Sequence, residues 1–224
     1  MLKPQKTRIN KKELKKDPLL DSVLKAQTFY EDNKNNITYS VIGVVIVALL
    51  VIWVVALQGE EEDRAITLLG KAQVEYDNFN YAKARGFLNE LRETLDGTDA
   101  ELQGTFLLAN LEYNEENYSD AKKLFSEFID EYSGSEILLS SAYAGIGACE
   151  DFEGNSVQAA ENYEIASDIA EGSRAPEYLY LAGLNYMNGN DREKAKAVFQ
   201  KIIDEYPDSP KRYDAETKLI MASK

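Results

Sequence analysis

A short pattern recurs four times between residues 80 and 202 and restricts the fold more than any other feature of the chain. Each copy is centred on an alanine, and the copies are spaced by 37, 38 and 36 residues: Ala84, Ala121, Ala159 and Ala195. A large side chain follows four residues later in each copy: Leu88, Phe125, Tyr163 and Phe199. A third apolar residue, three positions further on, completes an i, i+4, i+7 stripe that only an α-helix places on one face. The pattern therefore predicts four similar helices, each with a buried face.

A second helical segment precedes each of these four. The sequence predicts these first helices of each pair at residues 65–78, 99–115, 136–152 and 175–188, so that the chain forms helical hairpins that stack on one another. The near-repeated phrases FSEFIDEYSGS and FQKIIDEYPDS then mark the ends of second helices two hairpins apart. A further helix at residues 211–222 is expected to cover the open end of the stack.

The last hairpin has the spacing of small and aromatic residues that identifies a known repeat. Its pattern Ala182, Gly183, Tyr186, Ala195, Phe199 and Pro207 resembles the tetratricopeptide repeat, in which small residues let two antiparallel helices approach closely. The repeat spacings exceed the usual 34 residues, and we expect the additional residues in turns such as DGTDAE and EGSRAPE. The predicted fold is all-α: a single N-terminal transmembrane helix, an α-solenoid of about four tetratricopeptide-like hairpins and a C-terminal capping helix.

The N-terminal quarter contains the predicted transmembrane segment. Residues 37–57 carry no charge and are long enough, as a helix, to cross the hydrocarbon core of a bilayer. A buried helix of a soluble domain would need a larger protein to enclose an apolar surface on all sides. A cleaved signal peptide is disfavoured, because about forty residues precede the segment and its apolar run is longer than is usual in such peptides.

The flanking charges predict an orientation. Residues 1–36 hold nine Lys or Arg and five Asp or Glu, a net charge of +4, whereas residues 58–224 hold sixteen against thirty-four, a net charge of −18. The positive side stays in the cytoplasm, so we expect a cytoplasmic head at 1–36, a span at 37–57 and a periplasmic domain at 58–224 in a bacterial inner membrane. Within the head, Asp17 and Pro18 predict the start of a short amphipathic helix at 18–33 that contacts either lipid or protein. An organelle import receptor with a cytosolic repeat domain would need the opposite orientation.

Composition excludes several classes of function. The chain has no histidine, which removes the most common proton-transfer group and metal ligand, and its single Cys149 supplies no thiolate cluster. We therefore expect no enzyme activity, no cofactor, no metal and no small-molecule substrate. Asp96, Asp99 and Glu101 lack the spacing of a calcium loop and are interpreted as a solvated turn, and Cys149 as a packed thiol. The acidic domain would repel nucleic acid.

The whole layout of basic head, single span and acidic helical hairpins resembles the membrane-anchored tetratricopeptide family that includes the ancillary subunit of the bacterial Sec translocon. This resemblance implies protein partners: translocon subunits, periplasmic chaperones or newly exported proteins. The YPDSP ending is also similar to hairpins of Tol-Pal coordinators and outer-membrane assembly lipoproteins, so a scaffold that binds no client is the alternative.

The predicted first helices contain a single cation, Lys71, so a clamp for an acidic peptide tail is disfavoured. We predict instead a surface for apolar or basic polypeptide segments. Its residues by repeat alignment are Leu107, Leu111, Asn114, Tyr180, Leu184, Met187 and Asn188. The alternative for the three leucines is that they only pack against neighbouring helices.

Overall fold

The computed structural model describes residues 18–170 and 172–223, and within them it contains nine α-helices and no strand. The helices are α1 (Pro18–Asp77), α2 (Tyr81–Thr94), α3 (Asp99–Asn114), α4 (Tyr118–Glu131), α5 (Glu136–Phe152), α6 (Ser156–Ile169), α7 (Arg174–Asn188), α8 (Arg192–Glu205) and α9 (Lys211–Ala222). The basic residues before Pro18 and the expected N-cap Asp17 lie outside the described residues. The chain divides into two compact units, Met1–Gln58 and Gly59–Lys224.

In the first unit, the predicted amphipathic helix and the predicted span are parts of one helix, α1, rather than two elements. The intervening segment NKNN contains no proline or glycine that would end a helix. Asn33 donates a side-chain hydrogen bond to the carbonyl oxygen of Phe29 at 3.0 Å, and Thr38 donates one to that of Lys34 at 2.7 Å. All side chains of residues 41–55 are exposed, and α1 is the one described helix long and apolar enough to cross a membrane.

The second unit, called the body from here on, is a stack of four helical hairpins and a final helix. The first helices are the α1 segment 59–77, α3, α5 and α7, and the second helices are α2, α4, α6 and α8. Each second helix contacts the first helix of the following hairpin, and α9 packs on α8 and α7. This confirms the predicted α-solenoid of about four hairpins with a capping helix at Lys211–Ala222.

The repeated pattern forms the core of the body. The four alanines of the repeat are fully buried, as are Leu88 and Phe199, while Phe125 is 1% and Tyr163 is 5% exposed. The third position of the stripe is also fully buried in every hairpin: Leu91, Phe128, Ala166 and Ile202. Each large apolar side chain contributes about 1.5–3 kcal/mol by its removal from water. The repeat therefore encodes packing.

The same turn closes every hairpin. A backbone N–H donates to the carbonyl oxygen five residues earlier, at 2.8–2.9 Å, in Asn80, Asn117, Asn155 and Asp191. The residue before each of these has a φ between 60° and 83°: Phe79, Glu116, Gly154 and Asn190. In three turns the asparagine side chain also donates to a glutamate at 2.7–2.9 Å: Glu75, Glu112 and Glu150. These bonds satisfy groups that a helix end leaves unpaired and so fix each hairpin.

Gly183 allows the closest approach within the last hairpin. A Cβ atom added there would lie 2.5 Å from the ring of Phe199, which is fully buried among its neighbours. Gly183→Ala is therefore expected to lower the free energy of unfolding by about 1–3 kcal/mol, measured by thermal denaturation of the full chain in detergent. The matched control is Gly86→Ala in α2, where nothing lies within 4 Å of the added Cβ. Because alanine favours a helix over glycine by about 1 kcal/mol, this control should be stabilising, and a rise in Tm for both variants would contradict the packing.

Candidate protein-binding surface

Two of the seven predicted surface residues belong to the core. Leu111 is fully buried and Leu107 is 7% exposed, and both pack with Ala72, Ala84 and Leu88 between the first two hairpins. This corrects the prediction for Leu111, for which the packing alternative holds, whereas Leu107 packs in the core and also lines a groove described below. The physical reason is that a first helix packs against its own second helix and against the preceding hairpin. It therefore needs apolar residues on two sides, and several of its leucines are buried rather than exposed to a partner.

The other five residues divide between exposed and half-buried positions. Asn114 and Asn188 are exposed, and the Asn114 side chain donates to the Tyr76 hydroxyl at 2.7 Å. Leu184 and Met187 are half-buried against the core of α7, α8 and α9. All four residues lie on first helices, but Leu184 and Met187 expose only part of their side chains because they pack against this core.

Tyr180 is covered from within the chain. Its ring lies 6.0 Å from that of Phe199, and the Lys211 Nζ lies 4.9 Å above its centroid. The Lys211 Nζ also pairs with the Glu177 carboxylate at 3.0 Å. The start of α9 therefore closes this end of the first-helix surface.

An open groove lies at the other end of the stack. The α1 segment, α3 and α5 line it, and its volume is about 440 Å³. Its lining residues are Ile66, Leu69, Gly70, Gln73, Gln103, Phe106, Leu107 and Leu138. We call this the first-helix groove. Ile66 is 55% exposed. The ring of Phe106 contacts those of Phe125 and Phe128, with centroids 5.7 Å and 5.2 Å apart, so this lining residue is anchored in the core.

Sequence reasoning missed the first-helix groove although the signal for it was present. Phe106 precedes Ala121 by fifteen residues, as Tyr180 precedes Ala195 and Leu69 precedes Ala84. Counting back fifteen residues from the repeated alanine would have added Phe106 and Leu69 to the predicted surface.

Two cations of the second helices are engaged between hairpins. Arg85 on α2 pairs with Glu112 of α3 and with Glu115, the residue after α3. At the equivalent position of α4, Lys122 pairs with Glu150 of α5 at 2.9 Å and with Glu153, the residue after α5, at 2.6 Å. The hydrogen bond with Glu153 raises the pKa of Lys122 above its ordinary value, against the opposing effect of burial. These cations therefore stabilise the stack and are not displayed for a ligand.

The first helices contain more cations than the sequence predicted. The body segment of α1 includes Arg64, and α7 begins at Arg174, one residue before the expected start, so Lys71 is not alone. Arg174 donates to the Ser141 hydroxyl at 3.2 Å, and the Lys71 Nζ lies 5.8 Å from the Phe87 ring centroid. None of these cations lines the first-helix groove, which is uncharged and mostly apolar.

Cys149 is part of the core of the body. Cys149 is fully buried beside Ala121, Phe125 and Ala142, and this burial raises the pKa of its thiol to about 12. A thiol in that state is protonated and shielded at neutral pH, so it packs as a small apolar side chain.

Glu101 differs from the solvated turn that the sequence predicted. Asp96 and Asp99 are exposed, but Glu101 is 4% exposed in the first turn of α3. Its carboxylate accepts a hydrogen bond from Thr105 at 2.9 Å and lies 3.6 Å from the Arg92 Nε. Burial raises the pKa of this carboxyl, while Thr105 and Arg92 oppose the rise. Glu101 is therefore a buried carboxylate that links α3 to α2 through its ion pair with Arg92.

Comparison with known proteins agrees with the fold. A family model for the tetratricopeptide repeat matches residues 105–135 and 177–209, which lie in the second and fourth hairpins. The crystal structure of nearly identical TPR-like repeats of the kinesin light chain type from Podosopora anserina has a TM-score of 0.57 at 13% identity, over 72% of this chain and 86% of that one. The MamA RS-1 ArsTM double mutant has a TM-score of 0.53 at 17% identity, over 72% and 95%. No curated protein matches the chain. Two segments of the chain thus match the tetratricopeptide repeat, and the shared fold agrees with these matches.

Proposed function

We propose that this chain is a single-pass inner-membrane protein whose body binds polypeptide segments of other proteins outside the cytoplasm. The observation that carries the proposal is the first-helix groove, an open apolar surface on adjacent helices of a repeat that serves protein interaction. Half-exposed apolar and aromatic side chains on a rigid support are the usual anchors of a protein interface.

The membrane part of the proposal rests on two observations. The side chains of residues 41–55 have no protein around them, and a helix that is apolar on every side needs lipid to cover it. The charge difference between residues 1–36 and 58–224 favours a cytoplasmic N-terminus. We therefore assign the head to 1–36, the span to 37–57 and the exported domain to 58–224.

The finer proposal is an ancillary subunit that works beside the translocon or periplasmic chaperones on newly exported proteins. A chain emerging from a translocon is unfolded and exposes apolar segments, and the first-helix groove has the chemistry to hold such segments. Anchoring by a single span would keep the body near the point of export and raise its local concentration there.

Site-specific photo-crosslinking tests the binding surface. A crosslinking amino acid is placed at Ile66 in the first-helix groove and, as the matched control, at Ile220 on α9, which is similarly exposed but outside the groove. In intact membranes we expect adducts with envelope proteins, identified by mass spectrometry, from Ile66 and not from Ile220. Equal adducts from both positions, or none from either, would overturn the proposed surface.

A further inference from the structure

Three aromatic rings from three helices meet at the turn end of the second and third hairpins. Tyr118 and Phe152 are stacked, with ring centroids 5.1 Å apart and planes 12° apart. Tyr113 meets both edge-on, at 5.8 Å from Phe152 and 5.6 Å from Tyr118. We call this the aromatic cluster. Phe152 is the last residue of α5 and is 65% exposed. Its ring contacts with Tyr113 and Tyr118 hold it in place.

Two carboxylates flank the aromatic cluster in the sequence: Asp151 directly precedes Phe152, and Glu116 lies two residues before Tyr118. Burial is the main cause that raises the pKa of Tyr113 and of Tyr118, and the charge of Asp151 raises the first further as that of Glu116 raises the second. Asp151 and Glu116 are exposed, and among the described residues neither carboxylate has a hydrogen bond or an ion pair. The surface around the rings is therefore negative and unneutralised.

A lysine close to the cluster in the sequence is engaged by other carboxylates. Lys122 lies one turn beyond Tyr118 on α4, but its Nζ is held by Glu150 and Glu153 at 2.9 and 2.6 Å. Among the described residues no lysine or arginine lies over any of the three rings.

Elsewhere the same chain fills such sites itself. The Lys211 Nζ lies 4.9 Å from the Tyr180 ring centroid and 3.0 Å from the Glu177 carboxylate. In the same way, the Lys194 Nζ lies 5.0 Å from the Tyr186 centroid and 3.2 Å from a carboxylate oxygen of Glu161. In both cases a ring and a carboxylate bind one lysine. The aromatic cluster has the rings and the carboxylates without the lysine.

We propose that the aromatic cluster binds a lysine or arginine side chain of a basic polypeptide segment. Ring faces attract a cation within about 6 Å, and the flanking carboxylates add to this attraction. The occupant is argued from charge: the exported domain carries a net charge of −18, which draws a basic segment to the surface and repels an acidic one. The proposal deepens the proposed function and rests on it, since it names the chemistry of the partner.

The experiment uses the full chain in nanodiscs of uncharged lipid and three labelled peptides. One alternates lysine with glycine, one replaces every lysine by norleucine and one replaces it by glutamate. Norleucine keeps the apolar stem of lysine and lacks the charge. We expect fluorescence anisotropy to detect binding of the lysine peptide alone. Binding of the norleucine or glutamate peptide with equal affinity would overturn the proposal.

Variants locate the binding on the chain. Phe152→Leu keeps an apolar side chain and removes the ring, so the affinity for the lysine peptide should fall about two- to fivefold. The matched control is Tyr213→Ala, which removes an exposed aromatic ring of α9 outside the cluster and should leave the affinity unchanged. An unchanged affinity in Phe152→Leu, with its Tm equal to that of the wild type, would contradict the assignment.

The two proposals fail separately. Crosslinking from Ile66 reports on the first-helix groove in membranes, whereas the peptide assay reports on the aromatic cluster. If the wild-type chain does not bind the lysine peptide but still forms adducts from Ile66, only the cation site is overturned. If it binds the lysine peptide but forms no adducts from Ile66, only the groove is overturned.

Discussion

Replacing Phe199 with alanine is expected to lower the free energy of unfolding by about 3–5 kcal/mol, since a fully buried phenylalanine leaves both lost apolar contact and a cavity. Phe199 lies in the core that joins α7, α8 and α9, where Gly183 and Tyr180 pack against its ring. The measurement is urea denaturation of the full chain in detergent, followed by circular dichroism at 222 nm.

The matched control is Phe152→Ala, the same substitution at a ring that is 65% exposed. Its loss should be about 1 kcal/mol or less, since mainly ring stacking is removed. In a stack where each hairpin contacts only its neighbours, the Phe199→Ala effect should also be local. Hydrogen exchange should show lost protection in α7 to α9 and retained protection in α3. A Phe199→Ala loss no larger than that of Phe152→Ala would contradict the packing of the last hairpin.

The helices could be predicted from the sequence because two signals agree in each hairpin. The i, i+4, i+7 stripe places Phe125 and Phe199 on buried faces, and small residues such as Gly183 mark where two helices must come close. The capping helix was predicted at residues 211–222, where α9 lies. Local periodicity determines these features, and the stacking of hairpins reinforces it.

The open surface could be predicted only in part. Phe106 and Leu111 are both apolar residues of α3, yet Phe106 lines the first-helix groove and Leu111 is fully buried in the core. The difference depends on where neighbouring hairpins cover α3, which no local pattern reports. Tyr180 shows the same limitation, because the covering Lys211 comes from a helix 31 residues later.

The buried ion pairs between hairpins could not be predicted from the sequence pattern either. Glu101 and Glu112 look like surface residues of an acidic helix, and each is more than nine-tenths buried. Their partners Arg92 and Arg85 lie on the preceding second helix, so each pair forms only when the hairpins stack. An ion pair of this kind links the register of one hairpin to that of the next.

Replacing Arg85 with methionine should therefore lower the free energy of unfolding by about 2–3 kcal/mol. Methionine keeps much of the apolar stem of arginine, so the main change is that the Glu112 carboxylate loses its cation while it stays 6% exposed. The cost is less than the roughly 3–5 kcal/mol of a fully buried pair because the Arg85 side chain is 31% exposed. The measurement is the same urea denaturation in detergent.

A second substitution shows whether the unpaired carboxylate causes the loss. Adding Glu112→Gln to Arg85→Met removes the charge and keeps an oxygen for the Asn117 side chain, which donates to Glu112 at 2.9 Å. The double variant should recover about 1 kcal/mol or more relative to Arg85→Met. Lys123→Met is the surface control, since its pair with Asp120 is exposed and should be worth less than about 0.5 kcal/mol. If Arg85→Met costs no more than Lys123→Met, then the pair of Arg85 and Glu112 does not stabilise the contact between the first two hairpins, which then depends on apolar packing and on the ion pairs of Arg92.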